Sequence, residues 1–354
     1  MKTLLITLDY LPQTGGVATY YSKLKEYWPE PDDFEVLDNN NHQLLNKQSR
    51  WPWLRSFATV YKKIKQFKPD HVLVGQILPL GTVCYFLSFV IKIKYSVIIH
   101  GMDFTFALKQ RRKAKLAKKI LQRANTVICG NNYTAGLVKE FIGSYQSKVR
   151  VVNPGIEVKD RNHDGEVAQL QKEYNLENKT VLFSLGRLVP RKGFDNTLKA
   201  LKNSPNLVYV VAGGGPQEND LKELAKPLGQ SVIFLGNLSN EDKWSWLCLC
   251  DIFIMPSREI KGDFEGFGIV YLEANSVKKP VIAGDSGGVS DAVKNNLNGL
   301  LIDPENIDEI SQAITDLANN PEKRLQLGAV GYLRAKNEFN WQKQAQLFFN
   351  YIKN

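Results

Sequence analysis

Short apolar runs, most of them rich in β-branched residues, alternate with longer segments of helical apolar spacing along almost the whole chain. Thr3–Leu8, Asp70–Gly75, Tyr95–Ile99 and Thr126–Cys129 are apolar with little polar interruption, as in strands buried on both faces of a parallel sheet. A second group repeats the pattern at Val181–Leu185, Leu207–Val211, Val232–Phe234, Ile252–Met255 and Pro280–Ala283. Between them lie helix-length segments: Trp53–Phe67, Ala107–Arg123, Thr134–Ile142, Phe194–Lys202 and Gly266–Val277. This alternation predicts an α/β fold with right-handed crossovers. Asn153-Pro154-Gly155 and the polar stretch Lys159–Val167 separate the two groups and read as a linker. The expected architecture is two doubly wound domains in tandem, facing a cleft, with ligands at the carboxyl ends of strands.

Length agrees with that count, since 354 residues exceed one ordinary domain and suit two. A hydrophobic fraction of 43% and a charged fraction of 23% exclude general disorder. Four cysteines (Cys84, Cys129, Cys248, Cys250) suit buried residues of a reduced protein. The Cys248-x-Cys250 pair has no second pair or clustered His, so no zinc site is expected. The first apolar run is broken by Asp9, too early for a signal peptide. The longest, Leu78–Ile91, is shorter than the roughly 20 residues that span a bilayer. The expected location is therefore cytoplasmic. A formal charge of +10 points to an anionic partner without saying which.

Five loops carry candidate chemistry. After the first strand, Gly15-Gly16 opens a helix, either to let backbone approach a phosphate or as a flexible turn. Gly186-Arg187-Leu188-Val189-Pro190-Arg191-Lys192-Gly193 places three cations in six positions at a strand end. That is an anion site, with Arg187 as bidentate grip and Lys192 as point charge, unless the loop is merely solvated. Gly213-Gly214-Gly215-Pro216 lacks the dinucleotide-binding spacing and reads as structural. In Glu265-Gly266-Phe267-Gly268-Ile269, followed by Glu273, two carboxylates eight apart can reach one ligand at different depths. Glu273 is expected two turns into the helix, and the intervening amides form a second anion-binding element. A solvated acidic pair is the plainer alternative. His100, followed by Gly101, closes a strand of the first domain and is either a ligand contact or a structural histidine.

In this order, these motifs resemble the retaining glycosyltransferases of family four, which have the GT-B fold. The resemblance runs from Gly15-Gly16 through His100-Gly101, Asn153-Pro154-Gly155-Ile156, Gly186–Gly193, Gly213–Pro216 and Glu265…Glu273 to Phe339-Asn340-Trp341. The loops around Arg187, Glu265 and Gly288 look most like the phosphatidylinositol-mannoside mannosyltransferase type. The resemblance implies two Rossmann-like domains, 1–157 for the acceptor and 158–338 for the nucleotide-sugar. It adds a helix over 339–354 crossing back onto the first. It further implies that Arg187 and Lys192 bind the donor diphosphate, with Gly15 and Gly16 against it, and that Glu273 holds the ribose hydroxyls. Glu265, with the amides of Phe267 and Gly268, would hold the donor sugar, Gly266 and Ile269 would belong to the donor site, His100 would contact that sugar, and the base would stack near Asn237 and Leu238. The implied reaction transfers a hexose, mannose from GDP-mannose, to a lipid-linked or glycan acceptor. It uses no metal or further cofactor, consistent with the lack of an Asp-x-Asp motif. A UDP-sugar-dependent transferase and, more remotely, a nucleotide-sugar 2-epimerase are the alternatives.

Lys109–Arg123 holds eight Lys/Arg and no acid, with Ala114, Ala117, Leu121 and Ala124 at helical spacing. Such a helix either docks on its sheet with a solvated basic face or also adsorbs to an anionic membrane. Trp51-Pro52-Trp53 adds a candidate interfacial anchor. No nucleic-acid reader motif accompanies the charge.

Overall fold

Every strand pair in the computed structural model, which describes residues 1–13, 15–45, 53–159, 163–201 and 206–353, is parallel. The chain forms two compact units: Met1–Gly155 with Trp341–Asn354, and Ile156–Asn340. Each junction falls two residues from the expected one. Ile156 pairs with Asn340 as an isolated bridge, and its N–H donates to the Phe339 carbonyl, which ties both ends of the second unit together.

The first unit's sheet comprises β1 (Thr3–Ile6), β2 (Phe34–Leu37), β3 (His71–Val74), β4 (Tyr95–Ile99), β5 (Thr126–Cys129) and β6 (Val149–Val151). Its order is β2-β1-β3-β4-β5-β6. The inner strands β1, β3 and β4 are buried throughout, because helices cover both faces. Helix Trp341–Lys353 belongs to this unit. Its Trp341, Ala345, Phe348, Phe349 and Ile352 recur at helical spacing and pack against Tyr20, Tyr21, Leu24, Trp28 and Phe34.

The second sheet comprises β7 (Thr180–Leu185), β8 (Leu207–Ala212), β9 (Val232–Gly236), β10 (Ile252–Met255), β11 (Val281–Gly284) and β12 (Gly299–Ile302). Its order is β12-β11-β10-β7-β8-β9, so β7 stands at the switch point between β10 and β8. Open α/β sheets bind ligands at that place. Cys84, Cys129 and Cys250 are buried thiols and Cys248 is half-buried.

The structure corrects several sequence-based elements. Gln110 is extended, so the expected helix Ala107–Arg123 divides into Met102–Leu108 and Arg111–Arg123. The expected linker gives way at Asp164 to helix Asp164–Glu173, and residues 160–162 lie outside the described residues. Leu78–Ile91 contains helix Leu80–Val90, buried from Leu80 to Cys84 and at Leu87 but exposed at Phe86, Phe89 and Val90. No helix among the described residues is long and apolar enough to cross a membrane.

Candidate active site

The loop behind β7 tightens into a single 3-10 turn, Pro190–Lys192, started by proline, which has no N–H to lose there. The Arg191 carbonyl accepts from the Arg258 N–H at 2.8 Å, fixing this turn to the chain beyond β10. Two cations then converge on one carboxylate oxygen. Arg191 Nη1 and Lys192 Nζ each lie 2.6 Å from Glu265 Oε2. Arg191 Nε is also 3.2 Å from Asp263 Oδ1. The Lys192 and Glu265 side chains are only 10% and 11% exposed, so the ions meet largely out of water. Burial alone would raise the Glu265 carboxyl, but Lys192 and Arg191 outweigh it and hold it below the usual carboxylate range. The Glu265 carbonyl accepts from the Gly288 N–H at 2.9 Å, so the glycine loop after β11 supports this residue. Arg187, four residues before Arg191, is exposed and makes no ion pair among the described residues.

The second glutamate stands on the next helix. Gly268 caps Ile269–Ser276 at φ 77°, and a Cβ there would lie 2.3 Å from the Tyr271 ring, so only glycine fits. The helix therefore starts at Ile269 instead of Gly266, and Glu273 lies about one turn in rather than two. The amides of Phe267 and Gly268 belong to the approach to the helix. Phe267 buries its ring beside Phe339, with centroids 5.8 Å apart, while Gly266 and Ile269 are half-buried. Glu273 Oε1 is 2.7 Å from Lys243 Nζ, an ion pair from helix Asn240–Leu249. Asn237 is exposed and Leu238 half-buried, directly after β9. The Gly213–Gly215 loop packs on the β7 loop so closely that a Cβ on Gly213 would lie 2.0 Å from the Gly186 carbonyl oxygen. Those glycines are structural.

In the first unit, Gly15 precedes and Gly16 opens helix Gly16–Glu26, and a Cβ on either would meet only open space. His100 closes β4. Its Nε2 is 2.9 Å from the Tyr21 hydroxyl, and its ring meets the Tyr20 ring edge-on at 5.0 Å. Burial lowers its pKa to about 4, so the imidazole is neutral at pH 7. The Asp103 carboxylate accepts from the backbone N–H of His100 and of Gly101, at 3.1 and 3.0 Å. Burial nevertheless raises the Asp103 carboxyl to about 6, against the lowering effect of those bonds.

Lys192 and Glu265 are thus in contact, whereas Glu273 has a different partner and Arg187 reaches toward solvent. Sequence reading did not single out Arg191, Asp263 or Lys243. Three cations in the β7 loop are visible in the sequence, but nothing local pairs Arg191 and Lys192 with carboxylates more than 70 residues away.

Two family models match the chain: Glycosyltransferase Family 4 over residues 15–160 and Glycosyl transferases group 1 over residues 167–334. The chain belongs to glycosyltransferase family 4, and it is a glycosyltransferase. It is 28% identical, over 99% of its length and 98% of the relative's, to the GDP-mannose-dependent monoacylated alpha-(1-6)-phosphatidylinositol monomannoside mannosyltransferase of Corynebacterium glutamicum. The related mannosyltransferase of Mycobacterium tuberculosis strain H37Rv is 26% identical over the same shares. Among solved structures, Anabaena HepE in complex with UDP matches with a TM-score of 0.82 at 19% identity, covering 100% of both chains. That likeness establishes the GT-B fold.

Proposed function

We propose that this glycosyltransferase moves mannose from GDP-mannose to a lipid-linked or glycan acceptor, with retention of configuration and without a metal. The observation that carries the reading is the Arg191–Lys192–Glu265 cluster beside the switch point of the second sheet. The full-length similarity to GDP-mannose-dependent enzymes supports the choice of donor. In this reading Arg187 and Lys192 bind the diphosphate, and the backbone at Gly15 and Gly16 offers a further phosphate contact. Glu273 takes the ribose hydroxyls, Asn237 and Leu238 flank the base, and Ile269 lines the donor sugar. Glu265, held ionised, and the Gly266–Gly268 amides bind the sugar hydroxyls, and His100 contacts the same sugar. As the bond from the sugar to the diphosphate breaks, charge grows on the leaving oxygen. Fixed cations and amide N–H groups stabilise that charge without reorganising. The new bond forms from the acceptor oxygen on the same face, and its proton passes to the departing phosphate.

Thermal shift with GDP, UDP and ADP tests the donor, since a ligand that binds only the folded chain raises its melting temperature. Selective stabilisation by GDP is expected. Selective stabilisation by UDP would overturn the donor assignment.

For the acceptor side we propose adsorption to an anionic membrane at the cytoplasmic face. On helix Arg111–Arg123 all seven Lys/Arg are exposed, while Ala117, Ile120 and Leu121 are buried. Phe89 and Val90, 60% and 76% exposed, stand beside it, and the Arg123 guanidinium covers the Phe89 ring at 3.9 Å. Each cation near such a surface is worth about 1 kcal/mol. Trp53 packs on Phe57 at 5.9 Å, whereas Trp51 and Pro52 lie outside the described residues. Flotation with phosphatidylserine vesicles at low salt is expected to carry the protein upward, and equal behaviour with neutral vesicles would refute this.

A further inference from the structure

We propose that Tyr21 is a positioning residue that fixes His100 as its neutral Nε2–H tautomer, leaving Nδ1 as a hydrogen-bond acceptor for a sugar hydroxyl. The donor-sugar part of this inference rests on the function proposed above; the tautomer part stands without it. Proton accounting carries the argument. A tyrosine hydroxyl has one proton. Tyr21 donates it to the Gly75 carbonyl, which has none to offer, at 2.7 Å. The contact of 2.9 Å between the Tyr21 oxygen and His100 Nε2 can therefore be a hydrogen bond only if Nε2–H is the donor. A neutral imidazole protonated on Nε2 carries a lone pair on Nδ1.

The surroundings hold this arrangement in place. Tyr21 is fully buried on helix Gly16–Glu26, and its ring meets the imidazole edge-on at 5.4 Å. Gly75, directly after β3, is required by close approach, because a Cβ there would stand 2.9 Å from the Tyr21 hydroxyl. Asp103 holds the His100 backbone by accepting its N–H. The chain Gly75 carbonyl, Tyr21 hydroxyl, His100 imidazole thus begins and ends at the carboxyl ends of β3 and β4.

An acceptor at Nδ1 reads a hydroxyl and rejects a group that cannot donate. The imidazole acts here as a fixed-polarity contact and not as an acid.

The test is imidazole nitrogen NMR on full-length protein labelled with 15N-histidine at pH 7.5. His100→Gln assigns the His100 signals among the four histidines of the chain. The wild type is expected to show the Nε2–H form alone. Nδ1–H or an imidazolium there would overturn the proposal before any variant is considered. Tyr21→Phe, checked for folding by circular dichroism, is expected to give a tautomer mixture and to lower kcat/KM for GDP-mannose about tenfold. A variant that keeps the pure Nε2–H form would show that Tyr21 does not set it. Adding GDP-mannose to the wild type is expected to shift the Nδ1 signal, whereas GDP alone leaves it in place. An unmoved Nδ1 despite GDP-dependent thermal stabilisation would refute the sugar contact. Absent GDP stabilisation with an intact tautomer would refute the donor reading instead.

Discussion

Glu265→Gln removes one negative charge from beneath two cations while keeping the side chain's shape. Breaking a buried ion pair by deleting one partner costs about 3–5 kcal/mol, because the remaining charge is left poorly solvated. Here the cost falls somewhat below that range. Arg191 keeps Asp263 at 3.2 Å and is 20% exposed, so it retains a partner and some water. Lys192 is 10% exposed and loses its one ionic partner among the described residues. A loss of about 2–3 kcal/mol follows, which for a unit of this size lowers the melting temperature by roughly 5–10 °C. The ligand response runs the other way. With the carboxylate gone, Lys192 is free for an incoming diphosphate, so stabilisation by saturating GDP is expected to be as large as in the wild type or larger. Transfer is expected to fall sharply, because the sugar hydroxyls keep only a neutral amide oxygen in place of a charged acceptor. Differential scanning fluorimetry with and without GDP, alongside a transfer assay, reads all three quantities. A variant with wild-type melting temperature and near-normal turnover would refute the reasoning at its root.

Lys192→Ala is expected to fold and to lose both transfer and most of the GDP-induced thermal shift, and retained GDP stabilisation would remove Lys192 from the diphosphate site. Asp103 predicts a pH effect. Its folded pKa of about 6 lies above the unfolded value near 4. Between those values the native state binds more protons, so this group's contribution to stability falls as pH rises, by about 2–3 kcal/mol in all. Asp103→Asn should flatten that component in urea titrations at pH 4 to 6, and an unchanged wild-type slope would contradict it. Phe348→Ala, at a fully buried site under Trp28, should cost about 3–5 kcal/mol in chemical unfolding. A loss below 1 kcal/mol would contradict the docking of the last helix on the first unit.

Inner strands were legible because they are buried on both faces and read as unbroken apolar runs. The three strands that escaped notice, Phe34–Leu37, Val149–Val151 and Gly299–Ile302, are all sheet edges. An edge strand buries less, so Glu35 and Arg150 interrupt two of them and a glycine opens the third. The division at Gln110 escaped for another reason: neither proline nor glycine marks it, although its backbone is extended. In the site, the β7 loop and both glutamates were legible from glycines and charges clustered after strands. Their pairing was not. Arg191 meets Glu265, and Lys243 meets Glu273, only because the sheet order brings distant loops together. The helix start also moved, since Gly268 rather than Gly266 takes the left-handed conformation that the close Tyr271 ring demands.

Mannosyl transfer from GDP-mannose with retention is proposed at the Lys192–Glu265 site. Incubating the full chain with GDP-mannose labelled with 13C at the anomeric carbon, and mannosylated phosphatidylinositol in anionic vesicles, tests it most directly. Label is expected in the lipid with α configuration, present for the wild type and absent for Lys192→Ala. A β-configured product, transfer that persists in Lys192→Ala, or label transferred only from a UDP-sugar would contradict it.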